Sequence, residues 1–180
     1  MHPPGEVEHR AAGLHWLAFL LTECRESSVD IAADTAASQD DGSPYFSTWM
    51  MLWSRRVVIA KALATIRDEL AVSARRTKLL RVTKPSLPAR DWSIDRSTTK
   101  VEIENALLAI DVFPRAALLL LVFEGMALDD AAVLLDANPD LVIKARTIAL
   151  RELTGNLARM QGWKSNTTGS YVVMSELRNA

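Results

Sequence analysis

Cysteine is all but absent from this chain: Cys24 is the one thiol in 180 residues, so no internal disulfide can brace the fold. Histidine is almost as scarce. His2, His9 and His15 all sit near the N-terminus, which leaves Cys24 without a convincing base, and the spacing of His9 and His15 keeps them off a shared helix face. The seven glycines never cluster into a phosphate-cradling loop. Strand-like alternation is nearly missing, and no apolar run approaches the roughly 18 residues that a bilayer crossing needs. No catalytic residue, metal ligand, cofactor or membrane partner is therefore expected. The first residues lack the basic, apolar and small-residue order of a signal peptide, which makes a cytoplasmic protein the expectation.

What is present is a composition that is 49% hydrophobic, enough for real cores in a chain with so little strand character. The expectation is an all-α protein of two small helical domains joined by a linker. Residues 1–70 form the first domain, 71–100 the linker, 101–160 the second domain, ending in a helix-turn-helix, and 161–180 a tail. Charge follows the same division. Residues 1–48 carry Arg10 and Arg25 against Glu6, Glu8, Glu23, Glu26, Asp30, Asp34, Asp40 and Asp41. Residues 71–100 carry Arg75, Arg76, Lys78, Arg81, Lys84, Arg90, Arg96 and Lys100 against Asp91 and Asp95. A basic run of that kind either follows a phosphate backbone or is simply a solvated linker, and both readings stay open.

The second half is the more legible. Leu107, Leu108 and Ile110 give one helix an apolar stripe, which Asp111 breaks, and Pro114 starts the next. Residues 115–123 read as a helix apolar on nearly every side, hence buried, with Gly125 as its left-handed stop. Leu118, Leu119, Val122, Leu134 and Leu153 are expected in the core. A further helix over 128–136 opens with Asp129 and Asp130, where carboxylates favour the positive end of the helix dipole. The DANPD turn then offers Asn138 as an N-cap and Pro139 as a first helical residue, so the last helix begins at once and runs to about 157. Two helices joined by so short a turn are the helix-turn-helix pattern. In that arrangement the first turns of the second helix meet DNA, here Lys144, Arg146 and Thr147, with Arg151 one turn on. Arg146 suits base reading through its planar fork, whereas Lys144 and Arg151 suit phosphate.

In the first half, helices are expected over 7–22, 27–38 and 46–70, separated by turns that include the QDDGSP cluster of 39–44. Trp49, Leu52 and Trp53 fall at core spacing, so packed rings are the plainer reading. Exposed beside Arg55 and Arg56, the same rings would stack unpaired bases.

LLAIDVFPRAALLLLVFEG and MALDDAAVLLD, over 107–136, resemble without a gap the promoter-recognition domain of extracytoplasmic-function sigma factors of RNA polymerase. IKAR at 143–146 is similar to that family's recognition helix. CRESSVDIAADTAAS, over 24–38, resembles the segment by which sigma factors grip the polymerase, with Asp30, Ile31 and Asp34 at its contact positions. FSTWMMLWSRRVVIAKALATIRDEL, over 46–70, is similar to the helix that captures the melted promoter strand, which would assign that role to Trp53, Arg55 and Arg56.

The resemblance implies a transcription initiation factor that joins core RNA polymerase and recognises promoter DNA. Lys144, Arg146, Thr147, Arg151 and Arg115 would face the DNA, and an anti-sigma protein stays open as a third partner. A second reading stands beside it: a sigma-like interaction or regulatory protein in which DNA reading has weakened. Ala33 and Ala36, which replace the family's usual Gln and Phe, favour that alternative, as does the apolar run Ile148, Ala149 and Leu150 on the last helix.

Overall fold

The computed structural model describes residues 4–37, 47–80 and 98–160. The expected turn cluster at 39–44, the basic residues Arg81, Lys84, Arg90 and Arg96, and the tail at 161–180 lie outside them. Among the described residues every regular element is helical, as expected for an all-α chain. In order these are α1 (Pro4–Thr22), α2 (Arg25–Ala37), α3 (Ser47–Thr65), α4 (Arg67–Leu79), α5 (Lys100–Leu108), α6 (Val112–Leu118), α7 (Leu128–Leu134) and α8 (Pro139–Met160). A π-helical turn, Leu119–Phe123, continues α6.

Helices α1, α2 and α3 pack on one another through Leu14, Leu17, Leu21, Ile31, Val58 and Ile59. The chain leaves helical geometry at Ile66 (φ −105°, ψ 20°), and α4 then turns away to lie on α6 and α8. The segment from Ala71, expected to begin a linker, instead stays helical to Leu79 and buries Ser73 and Thr77. Both are small polar residues, which weaken an apolar stripe without preventing burial, because each hydroxyl finds a partner. Thr77 Oγ1 donates to the Ser73 carbonyl at 2.9 Å, and Ser73 Oγ accepts from the Phe113 amide at 3.0 Å. That second bond satisfies one of the orphan N–H groups at the start of α6.

Helix termini in the second half follow the chemistry of their sequence. Thr99 and Glu102 form a reciprocal capping box at the start of α5. The hydrogen bonds from Thr99 hold the Glu102 carboxyl below its usual pKa. Asp111 caps α6 through a 2.9 Å bond from the Val112 amide. Asn138 Oδ1 accepts from the Leu141 amide at 2.7 Å and Pro139 opens α8. Gly125 takes the left-handed conformation expected of it, at φ 62°. The carbonyls at and just beyond the end of α5 are satisfied by side chains from elsewhere: Asn156 Nδ2 donates to the Ala106 carbonyl at 2.8 Å, and Arg115 Nη1 reaches those of Leu108 and Ile110 at 3.2 and 2.9 Å.

Buried side chains from both halves form one contiguous cluster running from Leu14 to Ala149. Leu118 and Leu119 lie in it as expected, and Leu153 packs against it partly buried. Val122 and Leu134 do not. They are 50% and 38% exposed. The π-turn widens the helix by one residue per turn, and this shifts Val122 and Phe123 out of the register that an unbroken α-helix would give them.

Candidate nucleic-acid interface

Helix α8 buries Val142, Ala145 and Ala149. At about 100° per residue the opposite side is the stripe Asp140, Lys144, Thr147 and Arg151. Thr147 and Arg151 are exposed on it. Thr147 Oγ1 turns back to the Ile143 carbonyl at 2.9 Å, a common resting place for a helical threonine. Lys144 is occupied: its Nζ donates to the Lys78 carbonyl at 2.8 Å, at the C-terminal end of α4. Arg146 stands off the stripe, half-buried, on the flank that carries the exposed Ile143 and Leu150. The residues expected to read a base and a phosphate are therefore separated around the helix, as the spacing required.

The approach to α8 is acidic. Asp129 and Asp130 open α7, Asp136 stands in the turn and Asp140 in the first turn of α8, all four exposed. An open cleft of about 530 Å³ beside the turn is lined by Asp129, Val133, Asp136 and Pro139 among others. Lower on α8, burial pushes the Glu152 carboxyl above its usual pKa, with the Asp111 carboxylate adding to the effect. A raised carboxyl favours the protonated native state, so its stabilising contribution is present at low pH and lost as pH rises past the ordinary glutamate value and through the raised one. Glu152→Gln should therefore raise the melting temperature at pH 7 and leave it little changed at pH 4. An equal gain at both values would locate the effect outside titration.

Arg115, expected to face DNA, is placed otherwise. It is 1% exposed, and its guanidinium pairs with Glu23 as well as holding the Leu108 and Ile110 carbonyls. Desolvation pushes its pKa down, opposed by the Glu23 carboxylate. No phosphate reaches it in this arrangement. It follows Asp111 and Pro114 at the start of a helix that is buried all round, so the same apolar sequence that made the helix legible as core also carries this one charge inside.

On α3 the tryptophans lie at the surface. Trp49 is 59% and Trp53 36% exposed, which corrects the packed-ring reading, and Leu52 and the exposed Arg56 share their side of the helix. Arg55 faces another way. Its Nε donates to Glu124 Oε2 at 2.7 Å and its Nη2 pairs with the other carboxylate oxygen. That hydrogen bonding holds the Arg55 pKa above its usual value. On α2, Asp30 is exposed and Asp34 accepts from Lys61 Nζ at 3.3 Å, whereas Ile31 is only 7% exposed. Ile31 is thus a core residue, and any partner of α2 meets Asp30, Ala33 and Asp34 instead. Arg75, Arg76 and Lys78 from the basic run lie exposed on α4.

Glu124, Glu23 and Lys78 were missed as partners of the candidate cations. Pairs separated by 69 or 66 positions leave no local spacing to read. Among the described residues no group of histidine, cysteine and carboxylate side chains could hold a metal ion, and no helix is long and apolar enough to cross a membrane. Comparison of the chain with protein-family models, characterised proteins and solved structures finds no match.

Proposed function

We propose that this chain is a sigma-factor-like, DNA-binding transcription initiation factor of the cytoplasm. It joins RNA polymerase and recognises promoter DNA through a helix-turn-helix formed by α7 and α8. The observation that carries the reading is α8 itself: a helix of 22 residues, entered from α7 through a short turn capped by Asn138, with Thr147 and Arg151 exposed on its outward side. Arg151 takes phosphate and Arg146, beside Leu150, reads a base edge. The exposed Trp49, Trp53 and Arg56 supply the flat rings and positive charge that unpaired bases need. Residues 1–70 and 101–160 act in this reading as polymerase-facing and promoter-facing units, with Asp30 and Asp34 on the polymerase side.

The four aspartates around the α7–α8 turn favour a second reading, a sigma-like interaction or regulatory protein with weakened DNA reading, because they repel the phosphates that the helix would approach. One experiment separates the two. The full chain is tested for binding to core RNA polymerase and to promoter fragments at low salt, with Arg151→Ala alongside. The first reading expects both to bind, with the salt slope of DNA binding reduced by about 1 in the variant. Polymerase binding without DNA binding selects the second reading, and failure to bind either removes both.

A further inference from the structure

Arg55 comes from α3 and Glu124 from the far end of the π-turn, and their contact joins two groups of helices that pack mainly within themselves and share one buried cluster. Helices α1–α3 form one group and α4–α8 the other, connected along the chain at Ile66, where helical geometry is interrupted. Among the described residues, polar contacts between the groups include three made by glutamates: Glu124 with Arg55, Glu23 with Arg115, and Glu104, whose Oε2 accepts from Trp16 Nε1 at 3.0 Å. Of the three, only the first occupies a residue that the family resemblance assigns to melted-strand binding. The π-turn sets its geometry, since the Glu124 amide is held by the Leu119 carbonyl at 2.9 Å while its carboxylate, 9% exposed, meets both edges of the guanidinium fork.

We propose that the Arg55–Glu124 pair is an autoinhibitory latch, which holds α1–α3 against α4–α8 and keeps Arg55 from a nucleic-acid strand until the two groups part about Ile66. The latch rests on the assignment of Arg55 to the melted-strand surface. A phosphate offers the same two-oxygen fork as a carboxylate and competes for one guanidinium, so strand capture and closure exclude each other. By linkage, anything that opens the latch strengthens strand binding, and strand binding favours opening by the same factor.

The test measures distance and binding separately on the full chain. In a Cys24→Ser background, spin labels at Ala33→Cys on α2 and Val133→Cys on α7 report the separation of the groups. Both positions are exposed. Glu124→Arg should lengthen and broaden the distance distribution, and combining it with Arg55→Glu should restore the parent distribution. Glu124→Gln, which removes the negative charge and one of the two acceptor oxygens without adding repulsion, serves if the reversal fails to fold. It should bind a single-stranded oligonucleotide about fivefold more tightly than the parent, the lower end of usual coupling between sites. An unchanged distance in folded Glu124→Arg and Glu124→Gln overturns the latch. A distance that responds and is rescued by the charge swap, with no variant binding the oligonucleotide, keeps the latch and overturns the nucleic-acid reading.

Discussion

Glu23→Ala should destabilise the fold by on the order of 3 kcal/mol, more than Arg115→Met at the other end of the same ion pair. The asymmetry follows from where each partner lies. Arg115 is 1% exposed, whereas the Glu23 side chain is 53% exposed. Two carbonyls, Leu108 and Ile110, accept from Nη1, while Nε and Nη2 are buried without a hydrogen-bond partner. Removing Glu23 strands a cation in the core with those two carbonyls and the more distant Asp111 and Glu69 carboxylates to compensate it. Replacing Arg115 with methionine keeps most of the volume, removes the buried charge together with its two unpartnered groups, and lets Glu23 turn to water. Its cost is the donor lost to two carbonyls, about 1 kcal/mol net. Urea denaturation of both variants with unchanged slope measures the difference. Equal costs would mean that the guanidinium reaches water and that the pair is not a core feature.

That pair also marks the limit of what the sequence discloses. Helix starts and stops were legible because their causes are local: Asp111 before Pro114, Asn138 before Pro139, and Gly125 each act within a turn or so of the residue they cap. Apolar spacing likewise placed Leu107 and Leu119 inside. The helix over 67–79 was missed past Ala71 because its buried face consists of Leu70, Ser73 and Thr77, and two hydroxyls do not register as an apolar stripe. Among the candidate site residues, the four positions on α8 were read as a surface; Thr147 and Arg151 are exposed, and Lys144 and Arg146 are half-buried. The state of Lys144, Arg55 and Arg115 was not readable, because each is fixed by a partner far away in sequence. Ile31 failed for a different reason: on an amphipathic helix, a partner-facing isoleucine and a core-facing one have the same spacing, and only packing tells them apart.

The π-turn supplies the sharpest test of that distinction between pattern and packing. Leu119 and Val122 belong to one apolar run, LLLLV, and spacing alone places both in the core. Leu119 is 0% exposed and Val122 50% exposed. Leu119→Ala should therefore cost on the order of 2–5 kcal/mol, from lost transfer energy and a cavity that the surrounding core cannot fully collapse to fill. Val122→Ala should stay within about 0.5 kcal/mol of the parent, as substitutions at exposed sites do. The contrast arises because the Glu124 amide bonds to the Leu119 carbonyl, five residues back, and the wider turn carries Val122 outward while keeping Leu119 and Leu120 inward. Thermal and denaturant unfolding of the two variants measure the gap. Comparable losses at both positions would mean that the helix runs on as an ordinary α-helix through Phe123. Glu124 would then be rotated away from Arg55, and the latch would lose the geometry on which it depends.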